Sequence, residues 1–118
     1  LYIHLAEKLN RISKKYLGEY GYSNIGMVVG ATKPNEAILI RKNLPNSLFL
    51  VPGYGAQGAN AREALSGLIK RNQVYEGGLI NSSRKILFPD GSYNVDNIKT
   101  WKQLIKASLE NTLNDLKG

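Results

Sequence analysis

Short apolar runs alternate with amphipathic stretches along most of the chain. Leu5, Leu9, Ile12 and Tyr16 recur at helical spacing, with Glu7, Lys8, Arg11 and Lys15 between them. This predicts a helix over about residues 2–17, with Gly18 as its stop. Ile25 to Val29 is nearly continuous and apolar, the pattern of a strand covered on both faces in a parallel sheet. Pro34 can open a helix without losing a hydrogen bond, and Ala37, Ile40 and Leu44 mark the buried face of one over about 34–43. Ser47 to Val51 predicts a second strand. Asn60 and Glu63 have the spacing of a capping box, and Ala61, Ala64, Leu65 and Leu68 give the following helix its apolar stripe. Gly78 to Ile80 reads as a third strand and Ser83 to Leu87 as a short helical turn. Pro89-Asp90-Gly91 is a strong turn signal. A last helix is predicted over about 95–116, with Ile98, Trp101, Ile105, Leu109, Thr112 and Leu116 on one side.

Strands that alternate with helices in this way imply parallel βα units and an α/β fold. There is no internal linker or low-complexity tract. Three parallel strands leave two unpaired edges. The pattern therefore suits a small open α/β domain, or a piece of something larger.

Composition narrows the partners more than the fold. The chain has 118 residues, 42% hydrophobic and 21% charged, which is ordinary for a globular domain. No apolar run approaches the roughly 20 residues needed to span a bilayer. The start, Leu1-Tyr2-Ile3-His4, lacks an initiator Met and the basic and apolar regions of a signal peptide. The expectation is that residue 1 is not the natural start. The absence of Cys excludes a disulfide framework and thiolate metal ligation. His4 is the only histidine, so it has no partners for a metal or general-base role and reads as a packed or exposed helix residue. The net charge of +7 comes from dispersed Lys and Arg. That reads first as a solvated basic surface, then as a site for an anionic small molecule, and last as a nucleic-acid surface.

The candidate chemistry sits at two strand ends. Pro52-Gly53-Tyr54-Gly55-Ala56-Gln57-Gly58 follows the second strand, and Asn81-Ser82-Ser83-Arg84 follows the third. Together they offer free backbone N–H groups, one carboxamide and one guanidinium, which suits a phosphate dianion. Residues 53–58 also spell the dinucleotide fingerprint G-x-G-x-x-G. However, the next helix is capped beyond the motif, at Asn60, and Glu76 precedes the following strand instead of ending it. Asn81-Ser82-Ser83 matches a glycosylation sequon by pattern only. Trp101 reads as core.

Val28-Val29-Gly30-Ala31-Thr32-Lys33-Pro34, followed by the two motifs above, resembles the last three strand ends of orotidine 5′-phosphate decarboxylase, most of all its longer bacterial form. The likeness runs from about residue 20 to 88. That family is a (β/α)8 barrel of about 250 residues, with its sites on the C-terminal face. The resemblance implies that residues 1–118 are the C-terminal part of one TIM-barrel domain, about strands 6–8 with flanking helices. It implies decarboxylation of orotidine 5′-monophosphate to uridine 5′-monophosphate without metal or organic cofactor, by a cytoplasmic homodimer.

Residue by residue, the resemblance assigns Arg84, Ser83 and Gln57 to the substrate phosphate. It places Pro52 and Tyr54 beside the pyrimidine, although the family more often has a smaller aliphatic residue at the position of Tyr54. It lets Gly53, Gly55 and Gly58 turn the loop and close it as a lid. The family's chemistry rests on an Asp-x-Lys-x-x-Asp motif after strand 3, whose lysine protonates C6 as carbon dioxide leaves. The complete motif does not occur in the 118 residues, so the chain is expected to hold the phosphate grip and no catalytic residue. Neither nucleic acid nor a membrane is an implied partner. Two other readings stay open: another phosphate-binding barrel such as a pentulose-phosphate epimerase, or a small stand-alone nucleotide-binding module.

Overall fold

A computed structural model describes residues 1–117. Helix α1 (Tyr2–Ser13) runs into a single 3-10 turn, Lys14–Tyr16. Then come β1 (Ser23–Val28), α2 (Pro34–Asn43), β2 (Ser47–Pro52) and α3 (Ala61–Leu65). A hairpin of β3 (Ile69–Arg71) and β4 (Val74–Glu76) leads into β5 (Gly78–Asn81). Helix α4 (Ser83–Leu87) follows, then a 3-10 turn at Ser92–Asn94 and α5 (Ile98–Asp115). The main sheet has the order β1-β2-β5 and both pairings are parallel, as the alternating pattern predicts.

Local signals place several elements to the residue. Pro34 opens α2, and Ala37, Ile40 and Leu44 are its buried face. Asn60 and Glu63 form the expected capping box. The Glu63 N–H donates to Asn60 Oδ1 at 2.9 Å, and the Asn60 N–H donates to Glu63 Oε2 at 2.8 Å. Asn97 caps α5 by accepting from the Thr100 N–H at 2.9 Å.

The core lies between the helices and one face of the sheet. Phe49 and Val51 of β2 pack there with Ala6, Ala37, Ile40, Leu44 and Ala64. Full burial of a large apolar side chain contributes about 1.5–3 kcal/mol, so Phe49 and Leu44 are the main anchors. The strands lie close together because Gly26 and Gly78 have no side chain. A Cβ at Gly26 would sit 2.7 Å from the Leu48 carbonyl oxygen, and one at Gly78 would sit 2.6 Å from that of Phe49.

Four expectations need correction. On α5, Trp101 is only partly buried and Ile98 and Leu109 of the predicted stripe are exposed, leaving Thr112 as its buried residue. The strands are covered on one face only: Val28 is 63% exposed and Leu79 72%, with Leu48 and Leu50 exposed on the same side. Alternation sends Phe49 and Val51 one way and Leu48 and Leu50 the other, and the chain supplies helices to only one of those faces. On α1, the buried residues are Ala6 and Ser13, with Ile3 and Leu9 partly buried. Leu5, Ile12 and Tyr16 point away, the regular helix ends at Ser13, and the left-handed glycine is Gly21 instead of Gly18. Finally, the helix opened by Asn60 stops at Leu65. The β3–β4 hairpin fills the space before β5, turning at Asn72 and Gln73 with φ of 46° and 68°.

Candidate functional site

The register of the sheet brings the two candidate loops together. Pro52 pairs with Asn81 and Val51 with Ile80, so β2 and β5 end side by side. The first loop closes on itself: the Gly55 N–H donates to the Ala59 carbonyl at 2.9 Å and the Gly58 N–H to the Gly55 carbonyl at 2.8 Å. Its far end is fixed by the Asn60 capping box. In the second loop the Ser83 hydroxyl donates to Asn81 Oδ1 at 2.9 Å. The buried Ser82 hydroxyl reaches across to the Tyr54 carbonyl at 3.3 Å. No side chain caps the start of α4.

Between the loops is a cavity of about 200 Å³. Pro52, Gly53, Tyr54 and Gln57 line it from one side, and Ser83 and Arg84 from the other. Six of the eight residues assigned to the site from the sequence thus meet in one place, and Gln57 and Arg84 are exposed at it. Among the described residues Arg84 has no ion pair. Pockets that enclose a drug-sized ligand measure roughly 300–1,000 Å³, so this cavity fits one polar end of a ligand and not the whole of it. A guanidinium, a carboxamide and a helix start without a side-chain cap can together hold an anion. A larger groove of about 770 Å³ near Ile38, Ala61, Leu65 and Tyr75 is mostly apolar; its polar lining includes Asn60, Arg62, Ser66 and Asp115, and it takes in no residue from the ends of β2 and β5. Among the described residues no group of three or more His, Asp or Glu side chains could hold a metal ion.

Two of the predicted residues also make contacts that the sequence did not predict. Gly55 lies outside the cavity, beneath Lys85, where a Cβ would come within 2.7 Å of Lys85 Cδ. Tyr54 contributes to the cavity wall, but its ring is 3% exposed and its hydroxyl is engaged elsewhere. That hydroxyl donates to the Asp115 carboxylate and accepts from Lys85 Nζ at 2.8 Å. Lys85 Nζ also lies 4.3 Å from the centre of the Tyr54 ring. Burial raises the Tyr54 pKa, with the bond to Asp115 acting in the same direction and Lys85 opposing.

Sequence reasoning missed Lys85 and Asp115. Lys85 could have been suspected from its position beside Arg84; nothing local pairs Tyr54 with a residue 61 positions away. Asp115-Leu116-Lys117 does repeat the first half of Asp-x-Lys-x-x-Asp. It ends a helix instead of a strand, Asp115 is bound to Tyr54, and Lys117 Nζ bonds Asn114 Oδ1 at 3.0 Å.

No known protein-family profile matches the chain. Curated relatives do. An orotidine 5′-phosphate decarboxylase of Clostridium perfringens SM101 is 51% identical over 87 residues, covering 74% of this chain and 29% of the relative. One from Clostridium novyi is 41% identical over 115 residues, covering 93% of this chain and 38% of the relative. Among solved structures, a Toxoplasma gondii protein provisionally described as an orotidine-monophosphate decarboxylase superposes on the whole chain with a TM-score of 0.62 at 25% identity, 43% of that protein being covered. A Leishmania donovani UMP synthase matches 99% of the chain with a TM-score of 0.57 at 30% identity, 22% of it being covered. The chain is thus similar over most of its own length to orotidine 5′-phosphate decarboxylases, and it spans between 29% and 38% of these two curated relatives.

Proposed function

We propose that this chain is the phosphate-holding part of an orotidine 5′-phosphate decarboxylase, which converts orotidine 5′-monophosphate to uridine 5′-monophosphate and carbon dioxide in pyrimidine biosynthesis. In this reading β1, β2 and β5 are strands 6, 7 and 8 of a (β/α)8 barrel, where phosphate sites often follow strands 7 and 8. The exposed apolar face of Val28, Leu48, Leu50 and Leu79 supports it, because a closed barrel fills its interior with such layers of side chains. The share of the relatives that the chain spans is also close to three strands in eight. The proposal includes a cytoplasmic homodimer, in keeping with the resemblance.

One observation carries the reading: Gln57 and Arg84, on different loops, face one cavity between two parallel strand ends. Arg84 would grip the dianion through paired N–H donors. The Ser83 and Arg84 backbone N–H groups would add further donors, and Gln57 would bond an oxygen from the loop side. Pro52 and Gly53 would form the wall where the nucleotide leaves the cavity. The proton-donating lysine and its carboxylates would come from another part of the protein. Binding energy from a non-reacting phosphate can order the site and lower the barrier for distant chemistry.

The test is Arg84→Ala in the full-length protein, assayed by loss of orotidine 5′-monophosphate. Each hydrogen bond to a charged group is worth about 1.5–3 kcal/mol, so kcat/KM should fall by about 2 kcal/mol or more, roughly 30-fold. Undiminished kcat/KM would remove Arg84 from the site.

A further inference from the structure

The network around Tyr54 connects the two halves of the candidate site. Tyr54 lies in the first loop, three residues before Gln57. Lys85 directly follows Arg84 on α4. The Tyr54 hydroxyl sits between two opposite charges: it donates to Asp115 of α5 and accepts from Lys85 at 2.8 Å. The Tyr54 carbonyl accepts from the Ser82 hydroxyl. The Lys85 carbonyl accepts from the Ser108 hydroxyl at 2.7 Å, which fastens α4 to α5 as well. Gly55 leaves room for the Lys85 stem, which a side chain there would strike. The tip of the loop, Ala56-Gln57-Gly58, is exposed.

We propose that Lys85 and Asp115 are positioning residues which, through the Tyr54 hydroxyl, fix the Pro52–Gly58 loop against α4 and so set the spacing between Gln57 and Arg84. This rests on the phosphate site proposed above. The physical logic is preorganisation. Two donors held at the correct separation bind a dianion without first having to be ordered, whereas a free glycine-rich loop loses conformational entropy on every binding event. A chain of hydrogen bonds with opposite charges at its ends also strengthens each of its members. Neither Lys85 nor Asp115 lines the cavity, so their effect reaches the phosphate only through Tyr54 and the backbone next to Gln57 and Arg84.

The experiment measures the affinities of the full-length protein for uridine 5′-monophosphate and for uridine, which differ only in the phosphate. The variants are Lys85→Met, which keeps the stem, Asp115→Asn, which keeps the shape, and Tyr54→Phe. The expected result is a tenfold or greater fall in the ratio of the two affinities for Lys85→Met and Asp115→Asn. Adding Tyr54→Phe to either should cost less than a further twofold, because the hydroxyl is their shared link. Equal weakening toward both ligands, or an unchanged ratio, would overturn the proposal. Should Lys85→Met fold poorly, the nearly isosteric Asp115→Asn decides alone. A wild-type protein that binds the nucleotide no better than the nucleoside would defeat the phosphate site itself. A wild type that discriminates, with variants that discriminate equally well, would defeat only the lock.

Discussion

Replacing Arg41 tests how the site's two strands are held in place. Among the described residues its guanidinium forms no ion pair, and it serves backbone carbonyls instead. Nε donates to Gly67 at 2.8 Å, Nη1 to Ser47 at 2.7 Å and Nη2 to Gly77 at 2.7 Å. Longer contacts reach Leu44 at 3.3 Å and Pro45 at 3.2 Å, and the group lies 3.6 Å from the centre of the Phe49 ring. One side chain therefore ties the end of α2, the start of β2, the α3–β3 connection and the residue just before β5. The three short bonds are charge-assisted, each worth about 1.5–3 kcal/mol. Against them stands the cost of burying the cation, which lowers its pKa to about 10 and leaves it charged at neutral pH.

With that cost set against the gross sum, Arg41→Met should destabilise the full-length protein by about 2–4 kcal/mol, in part because buried carbonyls lose their partner. Arg41→Lys should recover little, since one ammonium cannot span three acceptors set in a fork. Urea unfolding would show this as a lower midpoint at unchanged slope. Because Gly77 leads directly into β5, affinity for uridine 5′-monophosphate should fall alongside stability. A loss below about 1 kcal/mol for Arg41→Met, or full recovery with lysine, would refute the reasoning.

Three further outcomes follow from the packing. Gly78→Ala should destabilise the β2–β5 pairing by about 1–3 kcal/mol in denaturant melts, because its Cβ would meet the Phe49 carbonyl oxygen, which is backbone and cannot swing aside. Asn60→Ala should cost about 1 kcal/mol by the same measurement, through loss of the α3 capping box. Tyr54 has its pKa raised in the fold, so above pH 10 the unfolded chain loses this proton before the folded one does. Its contribution is complete below pH 10 and declines as pH rises beyond it. In alkaline unfolding curves Tyr54→Phe should show a shallower loss of stability above pH 10 than wild type, and an identical slope would count against the burial of this hydroxyl.

What the sequence determined alone is local. Pro34, the Ala37-Ile40-Leu44 spacing and the Asn60–Glu63 pair act over a few residues, so they fix α2 and the start of α3 wherever the rest of the chain lies. The parallel βα order also follows from that alternation, and with it the two strand ends that become neighbours. The β3–β4 hairpin escaped because its turn uses Asn72 and Gln73, without the glycine that usually signals such a bend. Other features exist only once the elements pack. Which stripe of α1 is buried depends on what lies opposite it, and Leu5 and Ile12 are as apolar as Ile3 and Leu9. The free face of the sheet cannot be told from a covered one by composition, since Leu48 and Leu50 resemble Phe49 and Val51. The distant partners of Arg41 and Tyr54 are fixed by tertiary geometry, because hydrogen bonds across 26 to 61 residues leave no spacing rule in the sequence.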